Sequence, residues 1–225
     1  MPYHHSFTDG ESVNWPLGKV VCVGRNYADH ARELNNAIPD APLLFIKPSS
    51  AVVPFGDLTL SERFETPHYE TEMTVLIGRK LCCCSRESAY AAIAGLGIGL
   101  DLTLRELQTE LKHKGHPWER AKAFDGSCVL SAFKAFDKGI DLQNLTIRLW
   151  RNDDLVQNDQ TGQMLFPVVD LLVEISRTFT LEPGDVVMTG TPKGVGQLRD
   201  GDQLKAELGG LVCVESTLSF VRDYS

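Results

Sequence analysis

Positive charge is scarce in this 225-residue chain: 22 Lys and Arg stand against 30 Asp and Glu, a formal net charge of -8. Nucleic acid selects for basic patches, so no nucleic-acid partner is expected. A small anionic substrate stays possible, because a local cation cluster can overrule the global sign. Long apolar runs are missing too. None approaches the roughly 20 residues of a membrane helix, so no membrane partner is expected. Residues 1 to 19 are polar and lack the apolar core of a signal peptide. Cysteine is present without a pattern. Cys22, Cys82, Cys83, Cys84, Cys128 and Cys213 form no C-x-x-C pair and no zinc spacing. They read as reduced thiols of a cytoplasmic protein. In the run Cys82-Cys83-Cys84, neighbours point to opposite faces of a strand, which favours packing or exposure over a site. No internal repeat or low-complexity segment occurs.

What is present is an ordinary globular composition, 43% hydrophobic and 23% charged. The most informative stretch is His68-Tyr69-Glu70-Thr71-Glu72, running into Met73-Thr74-Val75-Leu76-Ile77-Gly78. It ends as a buried strand should. Residues two apart share a strand face, so His68, Glu70 and Glu72 line one side. Two carboxylates about 7 Å apart there repel by roughly 2–3 kcal/mol at an effective dielectric near 20. Either the strand is an edge with its carboxylates in water, or a cation compensates them. A hard divalent ion with oxygen ligands is the natural choice, and the apolar run behind the motif favours it.

In chain order, residues 1–18 read as an irregular arm or a short edge hairpin, with His4 and His5 incidental. Lys19 to Gly24 reads as a buried strand, leading into a short helix from Ala28 to about Asn35. His30 and Glu33 share a face of that helix. They form either a surface ion pair or a base with its orienting carboxylate. Leu43 to Ile46 is a strand, followed by a loop through Pro48, Pro54 and Gly56. Ser85 is a candidate N-cap for a helix running to Ala94. Gly95, Gly97 and Gly99 alternate inside a strand and permit close backbone approach. A dinucleotide motif would need its glycines between strand and helix, so that reading is rejected. Asp101 closes the strand. Thr103 to Glu106 reads as a capping box opening a helix to about Lys114, with Gln108 on it. Lys122 is either a solvated lysine or an anion-binding group. Leu145 to Trp150 and the segment after Asn152-Asp153-Asp154 form a hairpin. A core helix follows Pro167, and Val186 to Met188 is a buried strand ending at Thr191. Gly209-Gly210 turns a final hairpin. Many short strands with a few helices give an α+β fold with β dominant.

Taken in order, these segments resemble the fumarylacetoacetate hydrolase family, in its small acylpyruvase-like branch. The resemblance runs from Lys19 to about Val221. It rests on Val23-Gly24-Arg25-Asn26-Tyr27 with His30, Phe45-Ile46-Lys47-Pro48, His68 to Glu72, and Asp101-Leu102-Thr103. Trp118 to Asp125 and Gly190-Thr191-Pro192 with Gly194-Val195-Gly196 complete it. The resemblance implies a mixed β-roll, one catalytic domain over residues 19–225 after the arm, and a homodimer. It implies Mg²⁺, with Mn²⁺ or Ca²⁺ as substitutes, held by Glu70, Glu72 and Asp101. His30 and Glu33 match the water-activating dyad, and Lys122 the lysine that stabilises developing negative charge. Arg25, Gln108 and Thr191 match substrate contacts. The implied activity is C–C hydrolysis of acylpyruvates to pyruvate and a carboxylate. The alternatives are oxaloacetate tautomerisation or decarboxylation, or isomerisation of a 2-hydroxyhepta-2,4-diene-1,7-dioate. A non-catalytic metabolite-binding module is the remote alternative. The 18-residue arm gives no sign of the extra N-terminal domain of the larger enzymes, which makes fumarylacetoacetate itself a poor substrate expectation.

Overall fold

The computed structural model describes residues 3–64 and 67–222. In chain order the strands are β1 (Lys19–Gly24), β2 (Leu43–Pro48), β3 (Val52–Pro54), β4 (Asp57–Ser61), β5 (His68–Tyr69), β6 (Thr71–Ile77) and β7 (Ile93–Asp101). They continue as β8 (Cys128–Leu130), β9 (Lys134–Ala135), β10 (Thr146–Arg151), β11 (Asp154–Gln160), β12 (Val186–Met188), β13 (Gly196–Gln197), β14 (Gln203–Leu208) and β15 (Val212–Val221). The helices are α1 (Ala28–Glu33), α2 (Arg86–Ala91), α3 (Arg105–Lys114), α4 (Glu119–Lys122) and α5 (Val168–Thr178).

The larger sheet is ordered β2-β1-β12-β6-β7-β8-β3, with β9 added to β7. The second runs β11-β10-β14-β15-β4, and β13 pairs β5 apart from both. β10 packs on β6 and β14 on β7, so the two sheets enclose the core between them. The fold is β-dominated, with a curled mixed sheet and few helices, as expected.

Central strands of the first sheet are buried on both faces, which is why they read as continuous apolar runs. All seven residues of β6 are buried. Strands of the second sheet face water on one side and alternate, as in Gln203–Leu208. The prolines respect the sheet: Pro48 and Pro54 lie on its two edge strands, where a missing N–H costs no ladder bond. The hairpin between β10 and β11 turns at Asn152 (φ 51°) and Asp153 (φ 69°), the positive pair that a two-residue primed turn requires.

Several boundaries differ from the sequence expectation. α1 ends at Glu33, and α2 at Ala91 because β7 starts at Ile93. The 48–56 segment holds a short strand, β3, parallel to β8. The capping box does not form. Leu104 is the N-cap without a side-chain bond, and the Thr103 hydroxyl donates to Asp101 O at 3.1 Å. Ser85 caps α2 as expected, accepting from Ser88 N at 3.3 Å. His5, in the arm, is buried, with Nε2 2.8 Å from Gly184 O. Cys82 and Cys83 are exposed, and Cys84 is half-buried. Among the described residues, no helix is long and apolar enough to cross a membrane.

Candidate active site and metal centre

Three buried carboxylates converge at one end of the central strands. One oxygen from each of Glu70, Glu72 and Asp101 lies within 4.8 Å of the others. β6 and β7 bring them together. Glu72 on β6 pairs with Gly99 on β7, and Asp101 N donates to Glu70 O at 2.9 Å. Glu70 itself falls in the break between β5 and β6. Glycine opposite Glu72 is a packing requirement: a Cβ on Gly99 would lie 2.9 Å from Thr74 Cγ2 and from Val129 O.

Cations surround the cluster unevenly. Lys122 Nζ donates to Glu70 Oε2 at 2.7 Å and to Asp101 Oδ2 at 2.6 Å. Arg105 Nη2 donates to Glu70 Oε1, and Arg105 Nη1 to Gln108 Oε1 at 2.8 Å. Lys47 has no exposed surface and lies 2.9 Å from Asp101 Oδ1. The same ammonium donates to Lys122 O, and to Ser127 O and Oγ at 3.1 Å each. Among the described residues, Glu72 has only a backbone donor: Gly190 N, at 2.7 Å. Gly190 has φ 100°, and a Cβ there would fall 2.6 Å from Asn26 Cβ. Asn26 in turn donates to Thr189 O at 2.7 Å and accepts from Phe166 N at 2.8 Å, pinning the 25–27 turn against this strand end.

The pKa directions follow this layout. Burial, then the charges of Asp101 and Glu70, push Glu72 well above the usual carboxylate range. Burial pushes Glu70 up as well, but Lys122, Arg105 and His30 outweigh it and hold Glu70 low. Burial lowers Lys122, but Asp101 and Glu70 prevail and raise it. A cluster of three hard oxygen donors, one of them a carboxylate with no cation of its own among the described residues, fits a divalent ion such as Mg²⁺ or Mn²⁺.

His30 stands in the wall of the same cleft, 5% exposed, with Nδ1 3.5 Å from Glu33 Oε2. Burial lowers its pKa, and the carboxylates of Glu70 and Glu33 offset that only in part, with Arg105 acting against them. Glu33 is held from behind by Gly194 N, at 3.0 Å. Arg25, Gln108 and Thr191 also line the cleft. The Thr191 hydroxyl accepts from Gln157 Nε2 at 2.9 Å, while Gln157 Oε1 accepts from Thr71 N at 3.0 Å. One side chain from β11 thereby ties the Thr191 loop to the residue between Glu70 and Glu72.

All nine residues singled out from the sequence thus gather at one site: seven line the cleft, Asp101 lies against Lys122 beneath them, and Glu33 stands behind His30. Four others were not singled out. Lys47 looked like the end of an apolar strand. Arg105 was absorbed by the capping box, although its i, i+3 spacing to Gln108 was available as a signal. Gln157 sits in an ordinary polar hairpin, and Lys112, which also lines the cleft, in an ordinary charged helix end; neither carries a local signal.

Comparison with known proteins identifies the family. Residues 19–219 match the sequence profile of the fumarylacetoacetate hydrolase C-terminal domain. The chain is 45% identical over 210 residues to the oxaloacetate tautomerase YcgM of Escherichia coli (strain K12), covering 92% of this chain and 96% of that one. It is 41% identical over 203 residues to the mitochondrial oxaloacetate tautomerase FAHD1 of Bos taurus, covering 89% and 92%. It superposes with a TM-score of 0.91 on a fumarylpyruvate hydrolase from Pseudomonas aeruginosa solved with Mn²⁺ and pyruvate, at 32% identity and with 98% and 97% of the two chains covered. This chain belongs to the fumarylacetoacetate hydrolase family.

Proposed function

We propose that this protein is a divalent-metal-dependent oxaloacetate tautomerase, moving a proton between C3 and the 2-oxygen of oxaloacetate. The observation that carries the reading is the charge layout of the cleft: three carboxylates, an ammonium held between two of them, and a buried imidazole in the wall. The likeness to two oxaloacetate tautomerases over about nine-tenths of each chain supports the choice of substrate.

Glu70, Glu72 and Asp101 would hold a hard divalent cation, which would supply Lewis acidity at the 2-oxo acid. Lys122 adds a fixed positive charge beside the same carboxylates, so developing oxyanion charge meets a preorganised donor. Its raised pKa keeps it protonated through neutral pH. His30, with its pKa lowered by burial, is neutral at pH 7 and free to accept a proton. Glu33 faces Nδ1, which leaves Nε2 to take the proton from C3. The C3–H electron pair becomes the C2–C3 double bond, and the 2-oxygen receives the proton. The reverse order returns the ketone.

A second reading is hydrolysis of acylpyruvates. It is favoured by the His30–Glu33 pair, which can equally draw a proton from water, and by the likeness to the fumarylpyruvate hydrolase. One assay separates the two. With Mg²⁺, tautomerisation removes the ultraviolet absorbance of oxaloacetate enol without forming pyruvate, whereas hydrolysis releases pyruvate from acetylpyruvate. EDTA abolishes either. Fast enol decay with no acetylpyruvate cleavage supports the first reading; the opposite pattern replaces it with the second. His30→Ala is expected to lower kcat by about 10²–10⁴-fold, the usual contribution of a positioned base, while Mg²⁺ still raises the melting temperature. Wild-type turnover in that variant removes His30 from the base role.

A further inference from the structure

The cysteine run Cys82-Cys83-Cys84 lies outside the cleft. It follows the C-terminal end of β6, while Glu70 and Glu72 stand at the N-terminal end, so roughly 20 Å of strand separates them. In a strand, alternation would send neighbouring side chains to opposite faces. The run is not a strand. The chain bends at Cys82 and Cys83, and Cys83 has φ 46°, a left-handed conformation that a residue with a Cβ adopts only when its surroundings impose it.

The surroundings do so here. Cys83 N donates to Ser176 O at 2.9 Å and Cys84 N to Ser176 Oγ at 3.0 Å, so the last turn of α5 holds both peptide groups. Leu81 exchanges both backbone bonds with Leu181 before the turn, and Ser85 caps α2 after it. Cys82 and Cys83 are exposed, and Cys84 is half-buried against the core. Three thiols thus share one anchored turn.

Chain geometry selects a pair among them. Neighbouring Cα atoms are about 3.8 Å apart, below the roughly 4.4–6.8 Å that a disulfide spans, which disfavours Cys82–Cys83 and Cys83–Cys84. Residues two apart in an extended chain are about 7 Å apart, just beyond that span. The bend at Cys83 draws Cys82 and Cys84 closer than this, into the bridging range. Cys22 and Cys128 do not compete. Both are fully buried, and burial pushes the Cys128 thiol up to about 12 and the Cys22 thiol well above its usual value.

We propose that Cys82 and Cys84 are a reversible thiol pair that a hydroperoxide oxidises to a disulfide, with Cys83 as the left-handed hinge between them. The hydroperoxide is the two-electron oxidant. The exposed Cys82 attacks as thiolate on a peroxide oxygen. The O–O bond breaks, the leaving oxygen takes a proton, and Cys82 becomes a sulfenic acid. The Cys84 thiolate then attacks the Cys82 sulfur, the S–O bond breaks, water leaves and the S–S bond forms. A small dithiol reverses the change by exchange.

The test treats the reduced full chain with hydrogen peroxide, alkylates the remaining thiols and maps them by mass spectrometry. Cleavage after Lys80 and Arg86 isolates residues 81–86, with all three cysteines. That peptide is expected to lose two hydrogens and to carry a single alkyl group, on Cys83. Dithiothreitol before alkylation is expected to restore all three sites. Cys83→Ser is expected to form the bond at the wild-type rate, whereas Cys82→Ser and Cys84→Ser each slow bond formation in this peptide at least 10-fold. Three alkylated thiols after peroxide overturn the proposal. So does an alkyl group on Cys82 or Cys84 in the oxidised wild-type peptide, or a sulfinic acid or interchain disulfide in place of the internal bond. The wild-type map alone decides between these outcomes, whether or not a variant folds.

Discussion

Glu72→Gln is expected to abolish the stabilisation of this protein by Mg²⁺ while leaving the metal-free fold at least as stable as wild type. Glu72 is buried beside two other carboxylates, and its only hydrogen-bond donor among the described residues is Gly190 N. Without a cation, burial and its neighbours' charges disfavour its ionised form, as its raised pKa records. Gln keeps an oxygen for Gly190 N and removes the repulsion. The same change removes one of three ligand charges. At a hundredfold excess of Mg²⁺ over its dissociation constant, binding stabilises the folded state by about 2.7 kcal/mol. For a chain of this size that is roughly 5–10 °C in melting temperature. Thermal melts in EDTA and in Mg²⁺ read both effects. A Gln variant that keeps the full Mg²⁺ shift removes Glu72 from the ligand set. A markedly lower melting temperature in EDTA would mean that Glu72 belongs to a stabilising network even without metal.

Lys47→Met is expected to cost about 3–5 kcal/mol, the range for removing one partner from a buried ionic network. Met occupies a similar volume along the same apolar path, so packing loss is small. What disappears is an ammonium held against Asp101 Oδ1, Ser127 O and Oγ, and Lys122 O. Asp101 keeps Lys122 on its other oxygen, but the carbonyls of Lys122 and Ser127 lose a charged donor in the interior. The midpoint of urea unfolding should fall accordingly, with an unchanged slope. A loss below about 1 kcal/mol would show that water or a shifted Lys122 replaces the ammonium. Because Lys47 bonds the carbonyl of the residue whose ammonium touches Glu70 and Asp101, the surviving folded fraction should also turn over more slowly.

The metal-ligand candidates were legible because two of them sit two apart on a strand, where geometry needs no tertiary information. That argument placed Glu70 and Glu72 on one face, and the structure agrees, although Glu70 lies in the gap between β5 and β6 rather than in a continuous strand. His30 and Glu33 were legible for the same reason at helical spacing, as a pair without an address. Their position in the cleft wall came with the turn at Arg25-Asn26-Tyr27 and the contact of Glu33 with Gly194. Lys47 was not legible. A lysine at the end of Leu43-Leu44-Phe45-Ile46, just before Pro48, has the pattern of a strand emerging into water. Only the arrival of Asp101, Lys122 and Ser127 around it makes a fully buried ammonium stable. The capping box read from the spacing of Thr103 and Glu106 does not form, because the Thr103 hydroxyl and backbone are engaged by Asp101 and His68, and Arg105 within that segment carries no local signal of its reach to Glu70.

By itself the sequence determined the β-dominated class, the close-packed glycine strand at Gly95, Gly97 and Gly99, the paired carboxylates, and a net deficit of positive charge. Those are local or summed properties, set by strand period, the missing Cβ of glycine and charge count. Tertiary structure alone decided which cations meet which carboxylates. Lys47, Asp101 and Lys122 are far apart along the chain, and their contacts depend on the register of β2, β7 and the helices beside them, where a shift of one residue turns every side chain to the other face. It also brought Arg25 and Lys112, far apart along the chain, to the wall of one cleft.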